Sequence, residues 1–305
     1  MKSISVIIKG NSRGKLSLIH KLKRILSSYK LTFHETTHQN HAIELAKNIV
    51  NNNTDVLLIA GGDGSLNEVI NGCMQGDKTN LEKISILVLP FGTGNDFAKN
   101  LNITKNINEL ENIIQSNKTI AVDVGNIEFV NSEDKISNRY FINITDVGIG
   151  GFVAKKLTSA SSLFGANIKY HSSILKSFFS YKPIDVNLQS DNFSYKGKIL
   201  SLCMANGRYF ASGMCIAPNA DISDGKIELV VMKNVSIIDY IKNLSKVKNG
   251  KLLNHPEIEY TKITSCSIYA DKGICPIDMD GEFIGYAPLN LSLEKSAVKF
   301  LINHQ

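Results

Sequence analysis

The hydrophobic positions of the first 123 residues follow two alternating periods. Short apolar runs rich in β-branched residues predict buried strands, whereas apolar residues spaced three or four apart predict helices. The predicted strands span 3–8, 31–36, 55–60 and 84–89, and the predicted helices span 15–28, 41–51 and 66–74. Strands that alternate with helices over short connections are typical of a parallel α/β sheet covered on both faces.

The pattern changes after about residue 123, where predicted strands follow one another with few helices between them. These strands span 121–130, 139–147, 184–189, 196–204, 227–232, 257–269 and 289–293. The helical candidates span 153–156, 173–179 and 237–248. Strands joined by turns such as Ser223-Asp224-Gly225 favour an antiparallel, β-rich second domain.

The composition is that of a globular protein and excludes several classes. Of the 305 residues, 43% are hydrophobic and 20% are charged, so whole-chain disorder is excluded. A chain of this length is expected to form about two domains. The net charge of +6 does not by itself indicate a nucleic-acid partner. The sequence contains no run of about 18 apolar residues, the length needed to span a membrane. The apolar stretch near the N-terminus is too short for a signal peptide.

The cysteines indicate a reducing compartment. The five are Cys73, Cys203, Cys215, Cys266 and Cys275, an odd number with no CxxC pair. This spacing argues against both a structural zinc site and a disulfide framework. We therefore expect a cytoplasmic protein.

The segment from Leu57 to Gly72, LLIAGGDGSLNEVING, combines a buried strand, a glycine-rich turn and a helix. Three glycines bring the backbone close to a ligand, and the unpaired N–H groups at the start of a helix favour phosphate. Asp63 would repel a bare anion, so its presence makes sense mainly if Mg²⁺ lies between the two. The alternative is an ordinary β-α turn in which Asp63 caps the helix.

A second segment, from Ile86 to Leu101, repeats this arrangement as ILVLPFGTGNDFAKNL. Pro90 ends the strand, Gly92-Thr93-Gly94 supplies a flexible loop with a hydroxyl group, and Asn95-Asp96 opens a helix. Loops that follow parallel strands of an open sheet face the same crevice, so we expect the two loops to meet. Neither loop matches the P-loop pattern. Neither matches the glycine-rich pattern that follows the first strand of a dinucleotide-binding domain.

Together these segments resemble the diacylglycerol kinase catalytic-domain family, which includes bacterial lipid kinases and eukaryotic sphingosine and ceramide kinases. Further matches follow in the family's order, namely Asp123 in AVDVG, Asn143 before Gly148-Ile149-Gly150, Asp224-Gly225, and Asp280-Gly281-Glu282. The resemblance implies an N-terminal α/β ATP-binding domain and a C-terminal antiparallel β-sandwich domain. The first would span residues 1–123 with a returning strand at about 297–305, and the second residues 124–296.

The resemblance implies ATP-dependent phosphorylation of a hydroxyl group on diacylglycerol or a related lipid alcohol. Residues expected to line the ATP site are Thr36, Gly61, Gly62, Asp63, Gly64, Ser65, Leu66, Asn67, Gly92, Thr93, Gly94 and Asn95. Asp63 and Asp123 would hold the catalytic Mg²⁺. A separate structural metal site would involve Asp221, Asp224 and the backbone carbonyl of Lys226.

By the same resemblance, Glu282 would be the proton acceptor, with Asp280 in support. Phosphoryl transfer needs positioning and charge cancellation, and a carboxylate can accept the proton of the attacking hydroxyl. Because Asp63 and Glu282 lie far apart in the sequence, we expect them to converge across an interdomain cleft. For the Asp-Gly-Glu segment alone, an ordinary β-turn would be the simpler explanation.

Two other functions stay open. One is a kinase of a soluble acceptor such as NAD, which shares the GGDG motif but fits GTGNDFA and the late Asp-Gly-Glu poorly. The other is a nucleotide-binding regulatory protein without catalysis, and the presence of Asp63, Asp123 and Glu282 argues against it.

A lipid substrate implies transient contact of a peripheral protein with a membrane surface, without a nucleic-acid partner. The resemblance leaves a homodimer open. Between residues 152 and 181, an aromatic group could line the entry of a lipid tail, although such residues more often pack inside a core. The members of this group are Phe164, Tyr170, Phe178 and Phe179.

Overall fold

Buried β-branched and leucine side chains build a parallel sheet in the first part of the chain. Its strands are β1 (Ser3–Lys9), β2 (Lys30–Thr36), β3 (Val56–Gly61) and β4 (Ser85–Pro90), in the order β2-β1-β3-β4. Every residue of β3 is buried, as expected for a strand covered on both faces. The end of a long strand, Glu282–Leu301, pairs in parallel with β4 through Lys299 and Ser85.

The helices of this part follow the strands along the chain. They are α1 (Lys15–Ile25), α2 (His41–Asn51), α3 (Asp63–Met74), α4 (Lys78–Leu81), α5 (Asp96–Asn100) and α6 (Leu110–Ser116). A single 3₁₀ turn, Ile107–Glu109, leads into α6.

The computed structural model describes residues 1–158, 177–271 and 273–303. The chain divides into two units, of which the first is Met1–Asp123 with Lys295–Gln305 and the second is Val124–Glu294. Phe164 and Tyr170, the first two members of the aromatic group, lie outside the described residues, as do residues 173–176 of the helix expected at 173–179.

The second unit is rich in antiparallel strands, of which the first begins and the last ends in the first unit. They are β5 (Thr119–Asn131), β6 (Ile136–Phe141), β7 (Ile144–Gly148), β8 (Ile184–Ser190), β9 (Ser194–Ile199), β10 (Ser201–Ala205), β11 (Tyr209–Phe210), β12 (Met214–Cys215), β13 (Ile227–Met232), β14 (Ile258–Ile263), β15 (Cys266–Ala270), β16 (Pro276–Met279) and β17 (Glu282–Leu301). Its helices include α7 (Ile149–Thr158) and α8 (Ile237–Lys248). Antiparallel pairing runs in the order β14-β13-β10-β7-β16-β17, and β15 links β17 to β8 and β9.

Alternating side chains of the central strands form two separate cores. Leu202 and Met204 of β10 pack into the larger core with residues of β8, β15 and β16. Cys203 and Ala205 face the other side of β10, where they pack against Val230. An α/β first unit and an antiparallel strand-rich second unit confirm the fold class that the sequence predicts.

Three predicted strands are each broken in two by polar contacts. The segment predicted as 139–147 ends at Phe141 and resumes at Ile144, where the backbone turns to bond the carboxylate of Asp280. The segment predicted as 257–269 is interrupted at Thr264, whose N–H and hydroxyl both donate to Asp191. The segment predicted as 196–204 is interrupted at Leu200, whose N–H donates to the carbonyls of residues 232 and 233.

Two other elements are longer than the sequence predicts. The strand predicted at 289–293 is part of the 20-residue strand β17. Helix α3 begins at Asp63, three residues before the predicted start at residue 66, because Gly62 is its N-cap and the Gly62 carbonyl accepts the first helical bond from Leu66. The glycine-rich turn is thus shorter than the motif alone suggests.

We expect a side chain at Gly125 to destabilise the second unit. A Cβ atom added at Gly125 would lie 2.1 Å from Cε1 of its cross-strand partner Phe141, which is fully buried. Overpacking of this kind costs about 1–3 kcal/mol, so Gly125→Ala should lower the free energy of unfolding by that amount in urea titrations. Combining it with Phe141→Leu should cost less than the sum of the single changes. Full additivity of the two changes would contradict the contact.

Candidate functional site

The two glycine-rich loops touch through their backbones in the first unit. A Cβ atom added at Gly92 would lie 2.4 Å from Cα of Gly62. The N–H of Phe91 donates to the carbonyl of Gly61, with 3.0 Å between nitrogen and oxygen. Both loops leave the carboxyl ends of β3 and β4, where Gly61 and Pro90 are paired. The loops therefore meet at this edge of the sheet, as the sequence predicts.

Asp63 joins the second loop to the first. It is the first residue of α3, and its Oδ1 accepts the N–H of Phe97 at 3.1 Å, inside the first turn of α5. Burial raises the pKa of the Asp63 carboxyl, and the N–H groups of Phe97 and Asp96 partly offset this effect. Asp63 thus caps a helix, but the helix belongs to the other glycine-rich loop and not to its own.

Asn95 closes the second loop on itself. Its Oδ1 accepts the N–H of Gly92 at 2.9 Å, and its Nδ2 donates to the Gly92 carbonyl at 2.7 Å. Asn95 is buried and has a left-handed backbone with φ of 53°, which asparagine tolerates better than most residues. Thr93 stays exposed between the two bonded ends, and Gly94 follows it. The loop is therefore rigid at its base with an accessible hydroxyl group at its tip.

The other predicted ATP-site residues divide into two groups by burial. Gly64 and Ser65 lie half-buried on the first turn of α3, whose leading N–H groups have no partner within the helix. The side chains of Leu66 and Asn67 are buried, and Oδ1 of Asn67 accepts from Asn71 at 3.2 Å. These two side chains are therefore packed inside the first unit.

Thr36 lies at the carboxyl end of β2, the edge strand of the sheet. Its Oγ1 accepts the N–H of Gly10 at 3.3 Å, so it fastens the loop that follows β1. In that loop Nζ of Lys15 contacts both the Gly10 carbonyl and Glu35, the latter at 2.6 Å. Thr36 thus lies on the same side of the sheet as the glycine-rich loops, where the parallel strands have their carboxyl ends.

Asp123 is buried at the end of the first unit's sequence. Its Oδ1 accepts the N–H of Ser296 at 2.7 Å, so it fastens the returning part of β17. Carboxylates are the hard oxygen ligands that Mg²⁺ prefers. A divalent cation beside Asp63 would also offset the burial that disfavours its ionised form. Both carboxylates are thus of the ligand type that Mg²⁺ prefers, and their metal-binding role stays a prediction.

Glu282 in the second unit forms an ion pair with Arg139. Nη2 of Arg139 lies 2.7 Å from Oε2 of Glu282, and both side chains are partly exposed. Glu282 is the first residue of β17, and Arg139 lies on β6. The ion pair holds the carboxylate of Glu282 in one orientation at the start of its strand.

The contacts of Asp280 stabilise the backbone around it. Its two carboxylate oxygens accept the N–H groups of Ile142, Asn143 and Ile144 at 2.9–3.1 Å. Its own N–H donates to the carbonyl of Ile144, and its φ of 48° places it in the left-handed region. Asp280 therefore fixes the junction between β6 and β7. Any support that it gives to Glu282 passes through the turn that it stabilises.

Two further acids, Asp146 and Asp278, are buried side by side on adjacent strands. They are direct cross-strand partners on β7 and β16. Burial raises the pKa of both carboxyls, and the neighbouring Asp146 raises the pKa of Asp278 further. Oδ2 of Asp146 accepts from the hydroxyl of Ser201 and from the thiol of Cys203, and Oδ1 of each of the two carboxyls has no hydrogen-bond partner. Two such carboxyls cannot both ionise at low cost.

An apolar cavity of about 90 Å³ lies in the second unit. Helices α7 and α8 contribute Val153 and Val247 to its wall, and Phe178 of the predicted aromatic group also lines it. Other apolar side chains around it are Ile149, Leu200, Phe210, Met214, Ile216, Met232, Leu253 and Ile258. Asp146 is one of the few acids at its wall. Phe179, in contrast, is exposed.

The turn predicted as a structural metal site precedes β13. Asp221, Asp224 and Lys226 all lie on it, and Gly225 has the positive φ of 71° that the turn needs. Within the described ranges, no group of three or more acids, cysteines or histidines is arranged to hold a metal ion. No helix among the same residues is long and apolar enough to cross a membrane.

Sequence reasoning missed three residues of these sites. Asp146 and Asp278 interrupt apolar strands in ITDVG and PIDM, and a lone acid inside such a run is the signal that could have found them. Arg139 has no such signal, since it lies in the polar segment ISNRY and its partner Glu282 is 143 positions away.

Comparison with family models places both units. Residues 4–127 match the model of the diacylglycerol kinase catalytic domain. Residues 144–302 match the model described as the YegS C-terminal NAD kinase beta sandwich-like domain. The C-terminal model covers more than half of the chain, which therefore belongs to its family, and the N-terminal part matches the diacylglycerol kinase catalytic-domain family that the motifs predict.

Individual relatives agree with this assignment. A protein named diacylglycerol kinase from Staphylococcus carnosus is 25% identical over 295 residues, which cover 95% of this chain and 92% of the relative. One of the same name from Staphylococcus aureus strain JH9 is 27% identical over 278 residues, covering 91% and 84%. A crystal structure of a diacylglycerol kinase from Bacillus anthracis has the same fold, with a TM-score of 0.71 at 20% identity over 99% of this chain and 97% of that one.

We expect Gly92→Ala to impair nucleotide binding while the second unit stays folded. The added Cβ would push the two loop backbones apart and disturb the N–H groups at the start of α3. The Kd for ATP, measured by calorimetry, should rise about tenfold or more, equivalent to about 1.4 kcal/mol. The matched control is Thr93→Ser, which keeps the exposed hydroxyl and should bind as the wild type does. An unchanged Kd in Gly92→Ala would show that ATP does not use this loop.

We expect Asp278→Asn to stabilise the protein at neutral pH. The unfolded chain releases the Asp278 proton near pH 4, whereas burial holds the folded pKa well above that value. The stabilisation that protonated Asp278 contributes is therefore fully present below about pH 4. As pH rises towards the folded pKa, this contribution to the free energy of unfolding falls by about 1.4 kcal/mol for each pH unit. Asparagine cannot ionise, so urea titrations at pH 5 and 8 should show a gain that grows with pH.

The exposed Asp271 provides the control for this pH dependence. Asp271→Asn lies in the same unit and should leave the pH profile of stability unchanged. An Asp278→Asn variant that tracks the wild type at both pH values would mean that the buried carboxyl does not resist ionisation.

Proposed function

We propose that the protein is an ATP-dependent lipid kinase that phosphorylates a hydroxyl group of diacylglycerol or a related lipid alcohol. The observation that carries this proposal is the apolar cavity of the second unit, because an apolar wall suits part of a lipid better than a polar acceptor such as NAD. The two relatives named diacylglycerol kinase support the same acceptor class.

In this proposal the first unit holds ATP. The N–H groups at the start of α3 and the hydroxyl of Thr93 would bind phosphate oxygens, and the rigid base formed by Asn95 would keep the second loop in place. Asp63 and Asp123 would hold Mg²⁺, which when bound neutralises charge on the phosphate oxygens. The glycines at the loop contact let the backbone approach the phosphates without obstruction.

The second unit would supply the acceptor and the base. Part of an acyl chain would enter the cavity beside α7 and α8, and Glu282 would accept the proton of the attacking hydroxyl. Arg139 would hold the Glu282 carboxylate in position. A lipid acceptor requires access to a membrane surface, so we propose a peripheral protein that contacts the bilayer transiently.

The test is a comparison of acceptors with labelled ATP and Mg²⁺. The acceptors are detergent-dispersed diacylglycerol, a sphingoid base and NAD, with mass spectrometry of the products. We expect transfer to a lipid and none to NAD. Transfer to NAD alone would replace the lipid acceptor with the soluble one, and binding of ATP without transfer to any acceptor would favour a regulatory protein.

The base assignment has its own variant. Glu282→Gln keeps the size of the side chain and a hydrogen bond to Arg139 but cannot accept a proton, so kcat should fall about 10²- to 10⁴-fold with ATP affinity retained. The matched control is Glu133→Gln, which removes the carboxylate of an exposed ion pair with Lys135 in the same unit. If Glu282→Gln turns over as fast as the control, another group accepts the proton.

A further inference from the structure

The turn before β13 is in contact with a positively charged group of the protein itself, the ammonium group of Lys262. Nζ of Lys262 lies 2.5 Å from Oδ2 of Asp224, and both side chains are partly buried. Lys262 lies on β14, the strand that pairs with β13. Its ammonium group therefore reaches across the strand pair to the turn on which the structural metal site was expected.

The other oxygen of Asp224 is also occupied. Oδ1 of Asp224 accepts the N–H of Lys226 at 3.0 Å, which closes the turn. With Lys262 on Oδ2, each carboxylate oxygen of Asp224 carries a donor from the protein. A metal ion at this carboxylate would have to displace one of these two contacts.

Asp221 is committed within the turn in a similar way. Its Oδ1 accepts both the N–H and the hydroxyl of Ser223, at 3.0 and 2.8 Å. Mg²⁺ and Ca²⁺ need about six or more oxygen ligands in a shell around the ion. Because Asp221 bonds its own turn and Asp224 bonds Lys262, the two carboxylates do not form such a shell, and the predicted donor set does not fit a divalent metal.

A third acid lies close to the turn. Glu228 is the cross-strand partner of Lys262 and is only 3% exposed. Lys262 thus lies opposite one acid on β13 and bonds a second acid on the turn. A divalent ion entering here would be repelled by Lys262 as long as that side chain stays in place.

We propose that the ammonium group of Lys262 takes the place of a divalent cation at this turn, so that the second unit keeps the turn without bound metal. In this arrangement a lysine side chain on β14 supplies the positive charge that a metal ion from solution would otherwise supply. The proposal concerns stability and does not depend on the identity of the acceptor or on the proposed function.

The experiment measures thermal unfolding of the full chain without nucleotide, in EDTA and in millimolar Mg²⁺ or Ca²⁺. We expect the wild-type Tm to be the same in EDTA as in either metal, and the dialysed protein to retain no stoichiometric divalent ion by elemental analysis. Lys262→Met, which keeps the length of the side chain without its charge, should lower Tm by ~2–4 °C. Lys262→Arg keeps the charge and should recover most of this loss.

Two results would overturn the proposal. The first is a wild-type Tm that falls in EDTA, is restored by Mg²⁺ or Ca²⁺, and loses this dependence in Asp224→Asn. The second is a Lys262→Met variant with the Tm of the wild type. If Lys262→Met does not fold, the EDTA measurement and the metal content of the wild type decide the question. None of these readouts uses kinase activity, so failure here is distinct from failure of the proposed function.

Discussion

The arrangement of the first unit depends on one backbone contact, between Gly62 and Gly92. Strands β3 and β4 are neighbours whose last residues, Gly61 and Pro90, are in register, so the loops that follow them leave the sheet side by side. Any side chain at Gly92 would collide with the Gly62 backbone. Because neither residue has one, Asp63 comes close enough to cap α5, and the starts of α3 and α5 are held together.

Much of this arrangement could be predicted, because it follows from local patterns. The apolar runs of β3 and β4 and the glycines after them lie within about 35 residues of one another, and their parallel pairing places both loops at one edge. The start of α3 was less predictable. Gly62 caps that helix without a side-chain hydrogen bond, so the residue that looks like a cap, Asp63, lies inside the helix and serves α5.

Contacts between distant residues account for what the sequence could not show. Strand β17 has 20 residues, but only a short part of it alternates clearly between apolar and polar positions. The ion pair between Arg139 and Glu282 joins two strands that follow no shared motif. Lys262 is an ordinary polar strand residue by sequence, and only the pairing of β13 with β14 brings it to Asp224. The division into two domains could therefore be predicted from the sequence, whereas the residues that contact the acids could not.

The second unit stabilises its acids in three different ways. Asp280 receives three backbone N–H groups. Asp224 receives an ammonium group. Asp146 and Asp278 receive few donors, and burial favours their protonated forms. Each arrangement matches the donors that lie nearby, since the junction between β6 and β7 offers three backbone N–H groups to one carboxylate.

Glu282 differs from these acids because its side chain is 31% exposed, and that of its partner Arg139 is 19% exposed. A proton accepted during the proposed reaction would cancel the charge of Glu282 and weaken its ion pair with Arg139, which is costly for a partly buried pair. The exposure of Glu282 would give water a direct route to take this proton on. The buried Asp278 lacks such a route, and Asp280 has both oxygens bonded to the backbone. Of these three acids, the one with an ion pair and solvent access is therefore the one that we propose as the proton acceptor.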